Sequence, residues 1–557
     1  MKTEINLNSD FEFINSDGLM NINADNNKLK IYCNGQNKHV EVKFNFMLCD
    51  SALAELTYAF YGREFLLSKE SFHIKCEYGY MYPFSAITFL LSDKGVTLIS
   101  STAELEFIEL SKNESECFFT FGFSCIDSSE IEFIKNIHSG NYVDGINAYR
   151  NWYIEKFGSL PQSRDDIKKA FHVRRYFFNR RLCGLHILDN NDVCLNEIYT
   201  DDCACFGGID VALLFDFAYD EATDIRCGNT EPIHFNKSLK KNLQQQIQHI
   251  KEAHQCKFFC YFDPYLIQDN SELDSLYRDY LPILKKDGSF CYIWDKTQWP
   301  PCLYEDIWQQ FSTEYLNKAA SELCCDGIYL DEFGNGTQYK CHNDKHSHGS
   351  TFSQIKTEAV YHQKLKESVT AKLWMCEFPP PDLYKNNFDI VLSDTRTLIN
   401  IYRFIFPELK FVRIIGCDRP LGDNEWDVNK SFFNGEGLWL DNNPHDESWY
   451  PETIKKVIRN QYSILKDYCE YFTSDKAEAL YHITEDGVLV NKFEYNKKAV
   501  LTFINPTDNK VCTEIQFENL QLIKNLYEET PIKYSDSKNF LLEIEKKSVG
   551  CALFALL

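Results

Sequence analysis

No stretch of this 557-residue chain approaches the roughly 18 consecutive apolar residues that a membrane-spanning helix needs, so no span is expected. The opening residues, Met1-Lys2-Thr3-Glu4-Ile5-Asn6-Leu7-Asn8, lack the apolar core of a secretory leader, which points to a cytoplasmic protein, or a secreted one whose leader has been trimmed. Positive charge is scarce: 58 Lys and Arg face 82 Asp and Glu, giving a formal charge of −24 and a pI of about 5.1. Such a field repels nucleic acid and anionic membranes, so neither is expected as a partner and a neutral or weakly charged substrate is. Internal repeats and low-complexity tracts are missing as well. The 22 cysteines follow no regular framework, and several (Cys256, Cys260, Cys291, Cys376) sit inside apolar runs. Reduced, buried thiols fit that placement better than disulfides.

Aromatic residues are abundant, at 15% of the chain, and most are expected to fill core and strand positions. The length suggests two to four domains. Up to about residue 135, short alternating runs such as Val40-Glu41-Val42-Lys43-Phe44 and Val96-Thr97-Leu98-Ile99-Ser100 predict a β-sandwich. A helix from Val143 to Phe157 and a linker, Gly158 to Ser163, follow. From about 165 the pattern changes to alternating strands and helices. Candidate strands are Phe171 to Phe178, Val211 to Phe217, Phe258 to Phe262, Phe290 to Ile293, Gly327 to Leu330, Leu373 to Cys376, Ile390 to Leu392 and Phe411 to Ile415. Helical spacing is clearest from Tyr304 to Leu323, from Phe352 to Thr370 and from Glu452 to Phe472. The fold class is therefore α/β plus all-β: an N-terminal β-sandwich (1–140), a central (β/α)8 barrel with its preceding helix (141–474) and a small C-terminal β-domain (475–557).

Catalysis in such a barrel sits at the carboxyl ends of the strands. Two consecutive candidate strands end in acids: Tyr329-Leu330-Asp331-Glu332 and Met375-Cys376-Glu377. Paired carboxylates are what glycosidic hydrolysis requires, one at the anomeric carbon and one beside the leaving oxygen. The apolar collar after Glu377, Phe378-Pro379-Pro380-Pro381, should raise its pKa, as suits an acid/base; Asp331, a short arm on a stiff strand tip, suits a nucleophile. Strand alternation sends Asp331 and Glu332 to different faces, and the sequence leaves open which enters the barrel mouth. Asp394, Asp263 and Asp216 are further strand-end acids, expected to bind hydroxyls. Trp294, Trp299, Trp374, Trp426 and Trp439 are candidate sugar-stacking walls, and Arg413, Asp418 and Arg419 candidate pocket residues. The loop Cys341-His342-Asn343-Asp344-Lys345-His346-Ser347-His348-Gly349 could bind zinc, but no second cluster of ligands is evident in the sequence, so no metal and no cofactor are expected.

Tyr329-Leu330-Asp331, the Cys341–Gly349 loop, Cys376-Glu377 and Phe388-Asp389 resemble a group of predicted TIM-barrel glycoside hydrolases of unassigned substrate, distantly similar to the endo-α-N-acetylgalactosaminidases and related retaining α-glycosidases. The resemblance covers about residues 145–470. It implies that Asp331, at the fourth strand, is the nucleophile, that Glu377, at the next, is the acid/base, and that His346 and His348 bind substrate, with Glu332 standing where an amide or apolar residue is expected. The expected activity is retaining hydrolysis of an α-linked oligosaccharide or glycoconjugate, with Glu332, His346, His348, Asp263, Asp394, Trp294, Trp374 and Arg413 around the substrate. The alternatives are a non-catalytic carbohydrate-binding protein on the same scaffold, a transglycosylase, and a metal-dependent hydrolase using His342, His346 and His348. Sugar, linkage and oligomeric state are not legible in the sequence.

Overall fold

The computed structural model describes the chain apart from residue 1 and the segments 7–11, 17–19, 26, 34–39, 48–54, 59–62, 67–71, 79–83, 91–94, 101–103, 113–115, 124–129, 140–141, 179–185, 190–191, 221–222, 234–236, 294–296, 335–338, 349–352, 394–397, 416–423 and 535–538.

Eight parallel strands close a barrel: β1 His172–Phe177, β2 Val211–Phe215, β3 Lys257–Phe262, β4 Gly327–Leu330, β5 Leu373–Cys376, β6 Ile390–Ser393, β7 Lys410–Ile415 and β8 Gly437–Leu440. Seven of the expected strands are present. The segment Phe290 to Ile293 is not among them: it lies in a long excursion between β3 and the helix Asp306–Glu322, where its strand-like pairing is limited to isolated bridges to Leu284 and Gln298. Its apolar residues pack in that excursion, with Phe290 stacked on Tyr292. The eighth strand is Gly437–Leu440, which closes on β1 through Val173 opposite Trp439. A side chain at Gly437 would collide with the Phe171 carbonyl, so the closing strand must begin with glycine.

The strands are buried on both faces, as parallel strands under helices must be, and this is why they read as short apolar runs. At the amino ends, aspartates that open even-numbered strands cap the strands before them. Asp210 accepts from the Phe171 and His172 amides (2.7 and 3.1 Å), Asp326 from Phe258 (2.9 Å) and Asp389 from Trp374 (2.9 Å). These acids serve the fold, whereas those at the opposite ends face the barrel mouth.

The N-terminal region is a sandwich of a six-stranded and a five-stranded sheet. Phe44 and Phe121 of one meet Phe133 of the other edge to face, with ring centroids 4.8 and 5.2 Å apart. The helix Tyr142–Phe157 buries Ile146, Tyr149 and Tyr153 on one stripe. It leads into a polar cluster where sandwich, helix and barrel meet. Asp382, six residues beyond β5, accepts from the Ser85 amide and hydroxyl (3.0 and 2.6 Å) and from the Tyr149 hydroxyl, and pairs with Lys385 at 2.7 Å. Every member is buried. Beyond the barrel, a five-stranded and a three-stranded sheet enclose a separate core around Phe503, Phe517, Phe540 and Phe554. The last long helix breaks at Tyr468, giving Glu452–Asp467 and Cys469–Phe472 in place of one continuous element.

Candidate active site

The inner face of β4 carries Tyr329, which the register sets beside Tyr261 of β3 and Met375 of β5. With Phe215 and Trp439 it forms an aromatic layer across the barrel: Phe215 to Tyr261 is 4.0 Å between centroids and Tyr329 to Trp439 is 5.1 Å. The Tyr329 hydroxyl rises from that layer and donates to Asp331 Oδ1 at 2.7 Å. Asp331 thus stands over the barrel axis, on the same strand face as Tyr329.

Glu332 does not continue the strand. Its φ of 53° is left-handed, a conformation that non-glycine residues adopt at a cost of about 1–3 kcal/mol and that clusters at functional sites. The turn swings the Glu332 amide onto Glu377 Oε2 at 2.8 Å and leaves its carboxylate to accept from the Tyr339 hydroxyl at 3.1 Å. Two residues on, Gly334 has φ 94° and passes so close to the Phe378 carbonyl that a Cβ would lie 2.5 Å from it. The tips of β4 and β5 are therefore locked together by backbone, and Asp331 and Glu377 face one another.

Burial raises the Glu377 carboxyl well above the usual range, and the neighbouring Asp331 and Glu332 raise it further; the Glu332 amide opposes them. Asp263, at the end of β3, is raised well above its ordinary value by burial and then by Asp331 and Glu332. Its Oδ1 accepts from the Tyr265 amide at 2.8 Å. At the end of β2, Asp216 is also left-handed (φ 56°) and pairs with Arg226 at 2.6 Å. Asp216 Oδ2 and Asp263 Oδ2 are buried without a hydrogen-bond partner among the described residues, and both residues line a cavity of about 40 Å³ together with Arg226, Tyr261 and Trp308. Beside Asp216, on the neighbouring strand β1, Arg175 pairs with Asp441 after β8 (2.7 and 2.6 Å), its guanidinium held over Phe177 and Phe215.

The acids at the tips of β3, β4 and β5 thus converge: Asp331, Glu332, Glu377 and Asp263 share one mouth. Others of the expected residues lie elsewhere. Trp374 is on the outer side of β5, its ring edge-on to His362 at 4.8 Å, because alternation gives the inner position to Met375. Arg413 is likewise on the outer side of β7, in a buried pair with Glu436 at 2.9 Å, while Ile414 shares the inner face with Trp439. His346 and His348 turn toward Cys341 and Cys302. Trp299 donates to Asp274, and Trp426 lies beneath Lys547. Trp294, Asp394, Asp418 and Arg419 lie outside the described residues. Sequence reasoning passed over Arg175, Arg226, Tyr339 and Asp441. Asp441 carries the same signal as Asp331, an acid at a strand tip, but on the strand that was overlooked.

No family model matches this chain, and no curated protein matches it. Solved structures do, at the level of fold. The GH36 α-galactosidase AgaA from Geobacillus stearothermophilus, in complex with 1-deoxygalactonojirimycin, is 10% identical with a TM-score of 0.60, covering 97% of this chain and 81% of that one. A GH31 sulfoquinovosidase from E. rectale, in complex with an aza-sugar inhibitor, is 11% identical with a TM-score of 0.60, covering 96% and 86%. A cycloalternan-degrading enzyme from Trueperella pyogenes is 10% identical with a TM-score of 0.58, covering 96% and 84%. These neighbours span sandwich, barrel and C-terminal sheets together, so this chain has the three-part architecture of TIM-barrel glycosidases. No helix among the described residues is long and apolar enough to cross a membrane.

Proposed function

We propose that this protein is a glycoside hydrolase acting on α-linked sugars with retention of configuration, Asp331 serving as nucleophile and Glu377 as acid/base. The observation that carries the reading is the locked tip pair: Asp331 over the barrel axis, and a buried Glu377 whose proton is held by burial and by the charge of Asp331. Protonated, Glu377 can deliver its proton to the glycosidic oxygen as Asp331 attacks the anomeric carbon; ionised after that step, it can draw a proton from water to release the sugar. Asp331 and Glu377 are close enough for the one to raise the carboxyl of the other; retention calls for carboxyls about 5–5.5 Å apart and inversion for about 6.5–9.5 Å, room enough to seat a water between them. The orphaned oxygens of Asp216 and Asp263 are buried polar groups without a partner, and sugar hydroxyls, which both donate and accept, can supply one. The architecture shared with the α-galactosidase and its companions supports the same substrate class.

A panel of aryl α- and β-glycosides and natural oligosaccharides, with product stereochemistry followed by NMR, tests this. Turnover of an α-glycoside to the α-product is expected. Inversion would remove the double displacement, and saccharide binding without turnover across the panel would favour a non-catalytic carbohydrate-binding protein.

The pH dependence follows from Glu377. Because its folded value is raised, kcat/KM should persist above about 4.3, where an ordinary Glu ionises, and fall only as pH rises through the raised value. Glu377→Gln should abolish that alkaline limb. The linkage has the same sign for stability. The folded state holds this proton more tightly than the unfolded chain, so stability is fullest below the unfolded value and is lost as pH rises through the folded one. Glu377→Gln should therefore raise Tm at neutral pH while lowering activity. A lower Tm in the variant would contradict the repulsion inferred here.

A further inference from the structure

The loop after β4 contains Cys341, His346 and His348, and the fold brings a fourth candidate ligand to them from outside it. Cys302 lies at the end of the excursion that follows β3, 39 residues before Cys341. Its Sγ is 3.2 Å from His348 Nε2, and Cys341 Sγ is 3.2 Å from His346 Nδ1. One ligand atom from each of the four residues falls within 4.8 Å of every other. We propose that Cys302, Cys341, His346 and His348 form a structural zinc site.

The chemistry of the donor set favours that ion. Two thiolates and two neutral imidazoles are a tetrahedral set, and they cancel the charge of a divalent cation, which a buried site requires. Zn–S bonds of about 2.3 Å and Zn–N bonds of about 2.0–2.1 Å set the edges of the tetrahedron at about 3.4–3.8 Å. The Cys302–His348 and Cys341–His346 pairs, at 3.2 Å, lie within a few tenths of an ångström of those edges, and the remaining pairs fall within 4.8 Å. Cys302, Cys341 and His346 are buried and His348 is half-buried.

The outer partners suit a metal as well. His346 Nε2 lies 2.6 Å from the Tyr280 carbonyl, which can only accept. The carbonyl is nearer than the Asn343 amide nitrogen, 3.2 Å from the same atom, and so favours a ring proton on Nε2; Nδ1 then presents its lone pair toward Cys341, the tautomer a ligand needs. Cys341 Sγ accepts the Asn343 amide at 3.5 Å, and the Asn343 side chain donates to the Pro282 carbonyl at 3.1 Å. Four protein ligands leave no open position, so the ion would be structural and would activate no water.

Its place in the fold gives it a purpose. It joins the excursion after β3 to the loop after β4, two stretches with little regular structure that the His342 amide also links to the Leu284 carbonyl at 2.9 Å. Tyr339, two residues before Cys341, holds Glu332 and packs at a tilt against Tyr265 with centroids 4.6 Å apart. The ion would fasten the wall of the barrel mouth without touching the substrate.

Metal content of the purified full-length chain tests this, independently of any activity. About one zinc per chain is expected, with Cys302→Ser and His346→Ala each reducing it to a small fraction, and with Cys512→Ser, an exposed thiol in the C-terminal sheets, leaving it unchanged. Glu377→Gln should retain full zinc, which separates this site from the proposed catalytic pair. Should a ligand variant fail to fold, cobalt decides on the wild-type chain: after zinc is removed, added Co²⁺ should give the thiolate-to-metal absorption of a tetrahedral two-thiolate site. A chain that is purified without metal and takes up neither Zn²⁺ nor Co²⁺ overturns the proposal. So does a Cys302–Cys341 disulfide found by peptide mass spectrometry under non-reducing conditions.

Discussion

Asp331→Asn is expected to lower kcat by about three orders of magnitude or more on any substrate that the wild-type enzyme turns over, with KM changing far less. Removing a group that forms or orients a covalent intermediate costs on this scale in other hydrolases, roughly 10⁴–10⁶ when such a group acts in concert with its neighbours. The amide keeps the shape of the side chain and the Tyr329 hydrogen bond, so the fold should be unaffected. It cannot act as an anionic nucleophile toward an oxocarbenium-like centre. Asp331 is also the charge that raises Glu377 most, so the variant should show a lower Glu377 value in whatever activity remains. The companion measurement is Glu332→Gln. That residue is committed to Tyr339 and to its own turn, so its loss should cost much less. Near-normal turnover in Asp331→Asn, or an Asp331→Asn and Glu332→Gln pair with the effects exchanged, would take the nucleophile away from Asp331.

Asp382→Ala should destabilise the protein by about 3–5 kcal/mol, the range found when one partner of a buried ion pair is removed. Lys385 would remain fully buried without its counter-charge, and the Ser85 and Tyr149 hydroxyls would lose their acceptor. Burial has already pushed Lys385 down to about 8, against the pull of Asp382. The double variant Asp382→Ala/Lys385→Met should recover much of the loss, because it removes the buried cation together with its carboxylate. Urea or thermal unfolding checks both variants. A change below about 1 kcal/mol in the single variant would mean that the cluster is not holding sandwich, helix and barrel together.

Much of this architecture was legible in the sequence because parallel strands under helices must be short, apolar and followed by polar loops. Gly327–Leu330 and Leu373–Cys376 read that way without ambiguity, and the acids at their tips followed. Two kinds of feature did not read. One was the identity of the last strand: Phe290 to Ile293 has strand composition but packs in a loop, whereas Gly437–Leu440 is four residues long and is defined by closing on β1, a contact 265 positions away in sequence (437 − 172). The other was orientation. Trp374 and Arg413 stand on true strands, but whether such a residue faces the mouth or the helices depends on register to the neighbouring strand, and that pairing is not written in either strand alone. The cluster at Cys341 was visible only in part for the same reason, since Cys302 joins it through the fold.

The aspartates at the closed end of the barrel bear on how the chain assembles. Each one joins an odd-numbered strand to the even-numbered strand that follows it, β1 to β2, β3 to β4 and β5 to β6. A two-strand unit with its intervening helix can therefore satisfy the amides at one of its ends before the ring closes. This makes the pair of strands the natural step of folding, with closure of β8 on β1 the late, long-range event. Hydrogen exchange would show it as stability that comes and goes in pairs. Asp326→Ala should loosen β3 and β4 together and leave the protection of β1 and β2 in place.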